Sequence, residues 1–204
     1  MCARSAAVVV AVLAGGRGAR LGGSKPTTLL AGRPLISYPL AAARDAGLAA
    51  IVIAKPDTVL PRVQERIVFD SERLHHPLAG ILAALHQSDA VIALPCDMPF
   101  VTGTLLRWLA GQEPLSLFTG TSGSAQPFPV LYHSHHIRSL RRSMQAERSM
   151  RVSIEQLRPR LLDDCELDAF GAKHRLFFTV NTPDDLESAE QSLRCGQTAA
   201  SRQA

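Results

Sequence analysis

Between Leu13 and Lys25 the chain reads Leu-Ala-Gly-Gly-Arg-Gly-Ala-Arg-Leu-Gly-Gly-Ser-Lys, which places five glycines and three cations in thirteen residues. Glycines let main-chain N–H groups approach an anion closely, and Arg and Lys neutralise it, so the chemistry suggested is polyphosphate binding. A flexible surface turn could also be glycine-rich, but a mere turn rarely needs the twenty residues from Ala14 to Arg33. Asp97 follows the apolar run Ala90 to Leu94. A carboxylate at the end of a strand can hold a hard cation such as Mg²⁺ while water and phosphate oxygens fill the other positions. The same residue could instead be a turn former ahead of Met98-Pro99.

Two familiar phosphate loops fail by counting. A Walker loop ends in Gly-Lys-Ser/Thr, whereas here Ser24 precedes Lys25. A dinucleotide loop needs a third glycine where Leu21 stands, then an immediate helix, which Gly22, Gly23 and Pro26 oppose. His75, His76, His133, His135 and His136 lack a Cys or acidic partner at metal-ligand spacing. No Ser/His/Asp or Cys/His constellation stands out. Arg138, Arg141, Arg142, Arg148 and Arg151 form either a solvated face or a site for an acceptor's phosphate.

The elements that must position these groups alternate between strand and helix. Strands are expected at Val8 to Leu13, Ala50 to Ala54, Ile67 to Phe69, Ala90 to Leu94, Leu115 to Thr119, Phe128 to Tyr132 and Arg175 to Val180. Helices are expected at Pro34 to Ala46, with Gly47 as the left-handed cap, and at Val59 to Arg66 and Pro77 to Gln87. Others follow at Gly103 to Ala110, Ser134 to Gln145, Met150 to Leu157 and Pro183 to Leu193. Such alternation predicts an α/β fold: a three-layer α/β/α sandwich on a mainly parallel, Rossmann-like sheet, with ligands beyond the carboxyl ends of the strands.

Length and composition bound the rest. The chain has 204 residues, 46% hydrophobic and 5% aromatic, which suits one domain over residues 1–195, with a disordered polar tail over 196–204. A net charge of +4 fits phosphate-bearing ligands, and with one Trp and two Tyr there are few rings for stacking bases, so no nucleic-acid partner is expected. The four cysteines are scattered and without a C-x-x-C pair, which favours a reducing, cytoplasmic setting. No apolar run reaches the roughly 18 residues that span a bilayer. Arg4 followed by Ala6 to Ala14 has the look of a short signal peptide, but the same stretch reads equally as a buried strand.

Several blocks in order carry a resemblance. They are Leu13 to Gly16, Arg20-Leu21-Gly22 with Lys25, Gly32-Arg33-Pro34-Leu35, Asp70 ahead of Pro77-Leu78-Ala79-Gly80, Pro95 to Phe100, Gln126-Pro127 and Asn181 to Leu186. From about Val8 to Leu193 the chain resembles the molybdenum cofactor guanylyltransferases of the nucleotidyltransferase superfamily. The resemblance implies transfer of GMP from GTP to the phosphate of molybdopterin, releasing pyrophosphate, with Mg²⁺ as cofactor and transient contacts with cofactor-synthesis or acceptor proteins. It implies that Leu13, Ala14 and Gly15 line the guanine and ribose site. Lys25 and Arg20 would hold the phosphates, Asp70 would contact the nucleotide, and Asp97 would hold Mg²⁺. Ser24 stands where the family often has an acid, His76 where it often has glycine, and Thr179 where Asn is common. A sister enzyme using CTP or another phosphorylated acceptor, and a catalytically silent nucleotide-binding homologue, remain the alternatives.

Overall fold

Val8 to Leu13 is apolar throughout and four of its six residues are β-branched valines, a composition that suits a strand buried on both faces. In the computed structural model it is strand β1 (Val8–Leu13). The structure describes residues 7–16, 21, 23–70, 76–118 and 126–200. Arg20, His75 and the Thr119 end of one expected strand lie outside the described residues.

After β1 the chain makes a 3-10 turn at Lys25–Thr27 and a small hairpin of β2 (Leu29–Leu30) and β3 (Arg33–Pro34), then α1 (Ser37–Asp45) and β4 (Ala49–Ala54). Next come β5 (Arg66–Phe69), α2 (Pro77–Leu85), β6 (Ala90–Pro95), α3 (Gly103–Ala110), β7 (Ser116–Phe118) and β8 (Val130–His133). The last part holds α4 (Ile137–Gln145), α5 (Met150–Glu155), β9 (Arg160–Leu162), α6 (Asp164–Asp168), α7 (Lys173–Leu176) and α8 (Pro183–Ala200).

The main sheet runs β5-β4-β1-β6-β8. Its first three pairings are parallel and only β8, beside β6, is antiparallel. The chain builds outward from β1 through β4 to β5, then returns to place β6 on the other side of β1. That reversal opens a crevice at the carboxyl ends of β1 and β6, where ligands of open α/β sheets bind.

Strand alternation divides the core into two layers. Val10 and Val12 of β1, Val52 of β4 and Ile92 and Leu94 of β6 pack with α1 and α3. Ala11, Ile51, Ile53, Val91 and Ala93 pack with α2 and α4 on the other face. The alternation that buries Val12 therefore turns Leu13 and Ile53 toward α2, at the rim of the crevice. α1 and α3 meet closely because residue 103 is glycine: a Cβ there would stand 2.8 Å from the Ala46 amide nitrogen and 2.9 Å from the Ala42 carbonyl oxygen. Arg107 of α3 fastens the contact by donating to the carbonyls of Asp45 and Ala46 at the end of α1. Gly103→Ala is expected to lose about 1–3 kcal/mol of stability by forcing these backbones apart. Urea denaturation checks this, and a change within about 0.5 kcal/mol would contradict the packing.

Several expectations need correction. Val59 to Arg66 is not a helix: the chain is irregular through Glu65, and Arg66 begins β5. Pro61 disfavours helical geometry at Leu60 and leaves too few residues after it to nucleate a helix. Arg175 to Val180 is not a strand: α7 takes its first residues, and the rest makes one backbone contact with the region after β6, Val180 N–H to Asp97 O at 2.9 Å. β8 already occupies the edge of β6. The strand β9, parallel to β7 in a separate two-stranded sheet, was not expected. α8 runs beyond the expected Leu193 to Ala200. Gly47 has φ +71°, as its place after α1 predicts. No helix among the described residues is long and apolar enough to cross a membrane.

Candidate active site

The carboxyl ends of β1, β4 and β6 open into a cavity of about 510 Å³, within the range of small-molecule sites. Leu13, Gly15, Lys25, Asp70 and Asp97 all line it, although they come from four separated stretches of sequence. Ala14 does not line it. Its side chain is fully buried in the core, and its amide donates to the Ile53 carbonyl at 2.7 Å, tying β1 to β4 just below the cavity.

Lys25 is presented by a tightly anchored turn. The Ser24 carbonyl accepts from the amides and hydroxyls of both Thr27 and Thr28, Pro26 is buried, and the Ser24 hydroxyl donates to the Val59 carbonyl at 2.9 Å. From there Lys25 Nζ donates to Asp97 Oδ2 at 2.5 Å and to Asn181 Oδ1 at 2.6 Å. The Lys25 and Asp97 side chains are only 15% and 13% exposed, so the pair is poorly screened by solvent.

Asp97 sits just beyond β6, where the Cys96 amide donates to the Leu13 carbonyl at 3.1 Å and prolongs the contact between β6 and β1. Burial pushes the neighbouring Cys96 thiol well above its ordinary pKa, with the Asp97 charge adding to the effect. Cys96 is therefore a neutral thiol and not a nucleophile.

Asn181 is aimed by the start of α8. The Asp185 carboxylate accepts from the amides of Asn181 and Thr182, each at 2.9 Å, while the Thr182 hydroxyl accepts from the Asp185 amide. Burial alone would raise the Asp185 pKa, but the hydrogen bonds from Asn181 and Thr182 outweigh it and hold the carboxyl below its usual value. Asn181 Nδ2 donates to the Thr179 hydroxyl at 2.9 Å, which leaves its oxygen facing Lys25.

A second ion pair lies along the same cavity: Lys55 Nζ to Asp70 Oδ2 at 2.9 Å, with side chains 11% and 6% exposed. The Asp70 amide donates to the Ala54 carbonyl at 2.8 Å, so the two charges are carried by the adjoining ends of β4 and β5. His76 lines the cavity at the start of α2. Its Nδ1 accepts from the Leu78 amide at 3.1 Å, which leaves Nε2 to donate to the Arg148 carbonyl at 2.6 Å. His76 thus ties the head of α2 to the connection between α4 and α5.

Lys55 and Asn181 were not among the site residues expected from sequence. Asn181 lies within one of the blocks that carry the resemblance but has no role assigned there, and Lys55 directly follows the expected strand Ala50 to Ala54. A lysine after a strand carries no local signal, and only the sheet order brings it beside Asp70.

The arginines on and after α4 do not reach the cavity. Arg151 pairs with Glu155 on the exposed face of α5 at 2.9 Å, Arg141 contacts His86, and Arg148 contacts Gln156. The histidines beside them are structural. His136 Nδ1 accepts from the His133 amide at 3.1 Å, and burial, together with the neighbouring His135, lowers the His136 pKa to about 4. Among the described residues no group of three or more His, Cys, Asp or Glu could hold a metal ion.

Residues 10–161 match the MobA-like NTP transferase domain. The chain is 30% identical over 182 residues to the molybdenum cofactor guanylyltransferase of Serratia proteamaculans, covering 85% of this chain and 89% of that one. It is 27% identical over 201 residues to the molybdenum cofactor guanylyltransferase of Cereibacter sphaeroides, covering 90% and 95%. Among solved structures it resembles molybdopterin-guanine dinucleotide biosynthesis protein A of Archaeoglobus fulgidus, with a TM-score of 0.75, 26% identity and coverage of 91% of this chain and 98% of that one.

Proposed function

The chain belongs to the MobA-like NTP transferase family, and from that premise we propose that it transfers GMP from GTP to the phosphate of molybdopterin, releasing pyrophosphate. The observation that carries the proposal is the convergence of Lys25, Asp97 and Asn181 within hydrogen-bond distance at the crevice between β1 and β6. Nucleotidyl transfer develops negative charge on the α-phosphate oxygens and on departing pyrophosphate, so catalysis is chiefly positioning and neutralisation.

The donor set fits Mg²⁺ in a particular way. Asp97 offers one hard carboxylate and Asn181 a neighbouring amide oxygen. The described residues include no larger acidic cluster. Mg²⁺ commonly binds through one or two carboxylates and completes its shell with phosphates and water, so Asp97 would hold it together with the triphosphate. Bound there, Mg²⁺ supplies further neutralisation of the phosphate charge.

Lys25 can offer its ammonium to a phosphate oxygen while its backbone stays fixed by the Ser24 turn. The glycine-flanked start of the loop, Gly15 and Gly16, also lines the cavity and leaves main-chain groups accessible there. The acceptor enters from the side built by Phe128, Thr179 and Asn181. Its phosphate monoester, with a second pKa near 6 like other phosphomonoesters, is already ionised at neutral pH and needs no protein base.

The test is to incubate the protein with molybdopterin, Mg²⁺ and GTP or CTP labelled at the α-phosphate. Label is expected to pass from GTP to molybdopterin with stoichiometric pyrophosphate. Transfer from CTP but not from GTP would reject the proposal.

A further inference from the structure

We propose that the outer face of α4 is a docking surface for an acidic segment of a partner protein. This goes beyond the GMP-transfer reading above and does not depend on it.

The charge of the chain is unevenly spread. From Ile137 to Arg160 there are seven arginines against Glu147 and Glu155, a net of +5, whereas the whole chain carries +4. All other residues together are therefore slightly acidic, and the basic character sits in this one stretch. No Asp or Glu occurs between Glu113 and Glu147. Leu140, Ser143 and Met144 bury the inner face of α4. Arg138, Arg141 and Arg142, spaced i, i+3 and i+4, are exposed together on the outer one.

Folding does not call for this stripe. Arg138 stands in the first turn of α4, where the helix dipole favours an acid, and no acid is present there. Arg142 follows it one turn on, and like charges at that spacing weaken a helix. Among the described residues no carboxylate pairs with Arg138, Arg141 or Arg142, and Arg141 contacts the His86 ring. A surface kept merely soluble mixes both signs, so a stripe of one sign calls for an oppositely charged occupant.

A protein segment suits it better than other polyanions. Ile154 of α5 shares a core cluster with Leu140 and Met144 of α4, and Val152 of α5, 41% exposed, adds an aliphatic contact beside Arg151. Ile137 to Arg160 holds no Phe, Tyr or Trp on which a nucleic-acid base could stack. The apolar side of α4 is spent on the core, so the helix has none to bury in a bilayer. The acids of α8 in a second copy are partly committed: Asp185 accepts from the Asn181 and Thr182 amides, and Glu190 from the Ala31 amide.

The experiment is fluorescence anisotropy of the full chain with a labelled peptide of glutamate and leucine, beside an oligothymidylate of equal charge and vesicles rich in phosphatidylserine. The wild type is expected to bind the peptide, with an affinity that falls as salt is added. R138E/R141E/R142E is expected to bind it about 10- to 100-fold more weakly, the worth of three exposed ion pairs, and to bind a lysine–leucine peptide instead. Should that variant fail to fold by circular dichroism, R138Q/R141Q/R142Q removes the charge alone and is expected to lose about 10-fold. Pyrophosphate release with GTP and molybdopterin is expected to be the same in all, because these side chains do not line the catalytic cavity. Peptide affinity indifferent to the charge reversal would overturn the assignment. So would tighter binding to the oligothymidylate or the vesicles than to the peptide, or copies of the chain that associate in sedimentation and separate on charge reversal. A chain that binds the peptide as expected but transfers no GMP would support the docking face while the GMP-transfer reading fails.

Discussion

Asp97→Asn is expected to lower kcat for guanylyl transfer by about 10²- to 10³-fold, the loss typical when one preorganised charge-stabilising group is removed from an active site. The amide keeps the size of the carboxylate and an oxygen for Lys25, and the main-chain bond from Val180 to the Asp97 carbonyl is untouched. The fold should therefore survive with a melting temperature close to that of the wild type. What is lost is the negative charge that offers a hard ligand beside the phosphates. Steady-state pyrophosphate release in the presence of molybdopterin measures it. A kcat within about threefold of wild type would mean that chemistry does not occur at Asp97, and a protein that binds nucleotide equally well with either residue and releases no pyrophosphate would be a silent homologue.

Lys25→Met is expected to reduce kcat/KM by a comparable factor, about 10²- to 10³-fold, by a different route. The ammonium bridges Asp97 and Asn181, so its removal takes a cation from the phosphate end of the cavity and strips Asp97 of its partner. Breaking a buried pair by removing one side is costly, and with both side chains slightly exposed a stability loss of about 1–2 kcal/mol is expected as well. Lys25→Arg restores the charge but replaces a compact ammonium with a planar fork, and should recover activity only in part. Kinetics on folded variants, with urea denaturation alongside, separate the two effects; full activity in Lys25→Met would place the phosphates elsewhere.

Strand alternation was enough to read the parallel core, because buried apolar runs such as Val8 to Leu13 and Ala90 to Leu94 leave few other conformations open. Leu13, Gly15, Lys25, Asp70 and Asp97 all face the cavity found there. The sequence was poorer where tertiary context decides. Phe177 to Val180 has the composition of a strand, but the edge it would join is taken by β8. A helix was expected over Val59 to Arg66, but Pro61 and the tether from Ser24 to Val59 hold the chain irregular up to the start of β5. Lys55 gains its meaning only through the pairing of β4 with β5, which sets it beside Asp70, and Asn181 only through the Asp185 cap that aims it.

The central claim is that Asp97 and a bound triphosphate together hold the metal ion. Its most direct measurement is Mn²⁺ binding followed by electron paramagnetic resonance, with and without GTP, in the wild type and in Asp97→Asn. Mn²⁺ is expected to bind weakly without nucleotide, tightly with GTP, and to lose most of that gain in the variant. Tight binding without GTP, or GTP-dependent binding unchanged by the loss of the carboxylate, would contradict it.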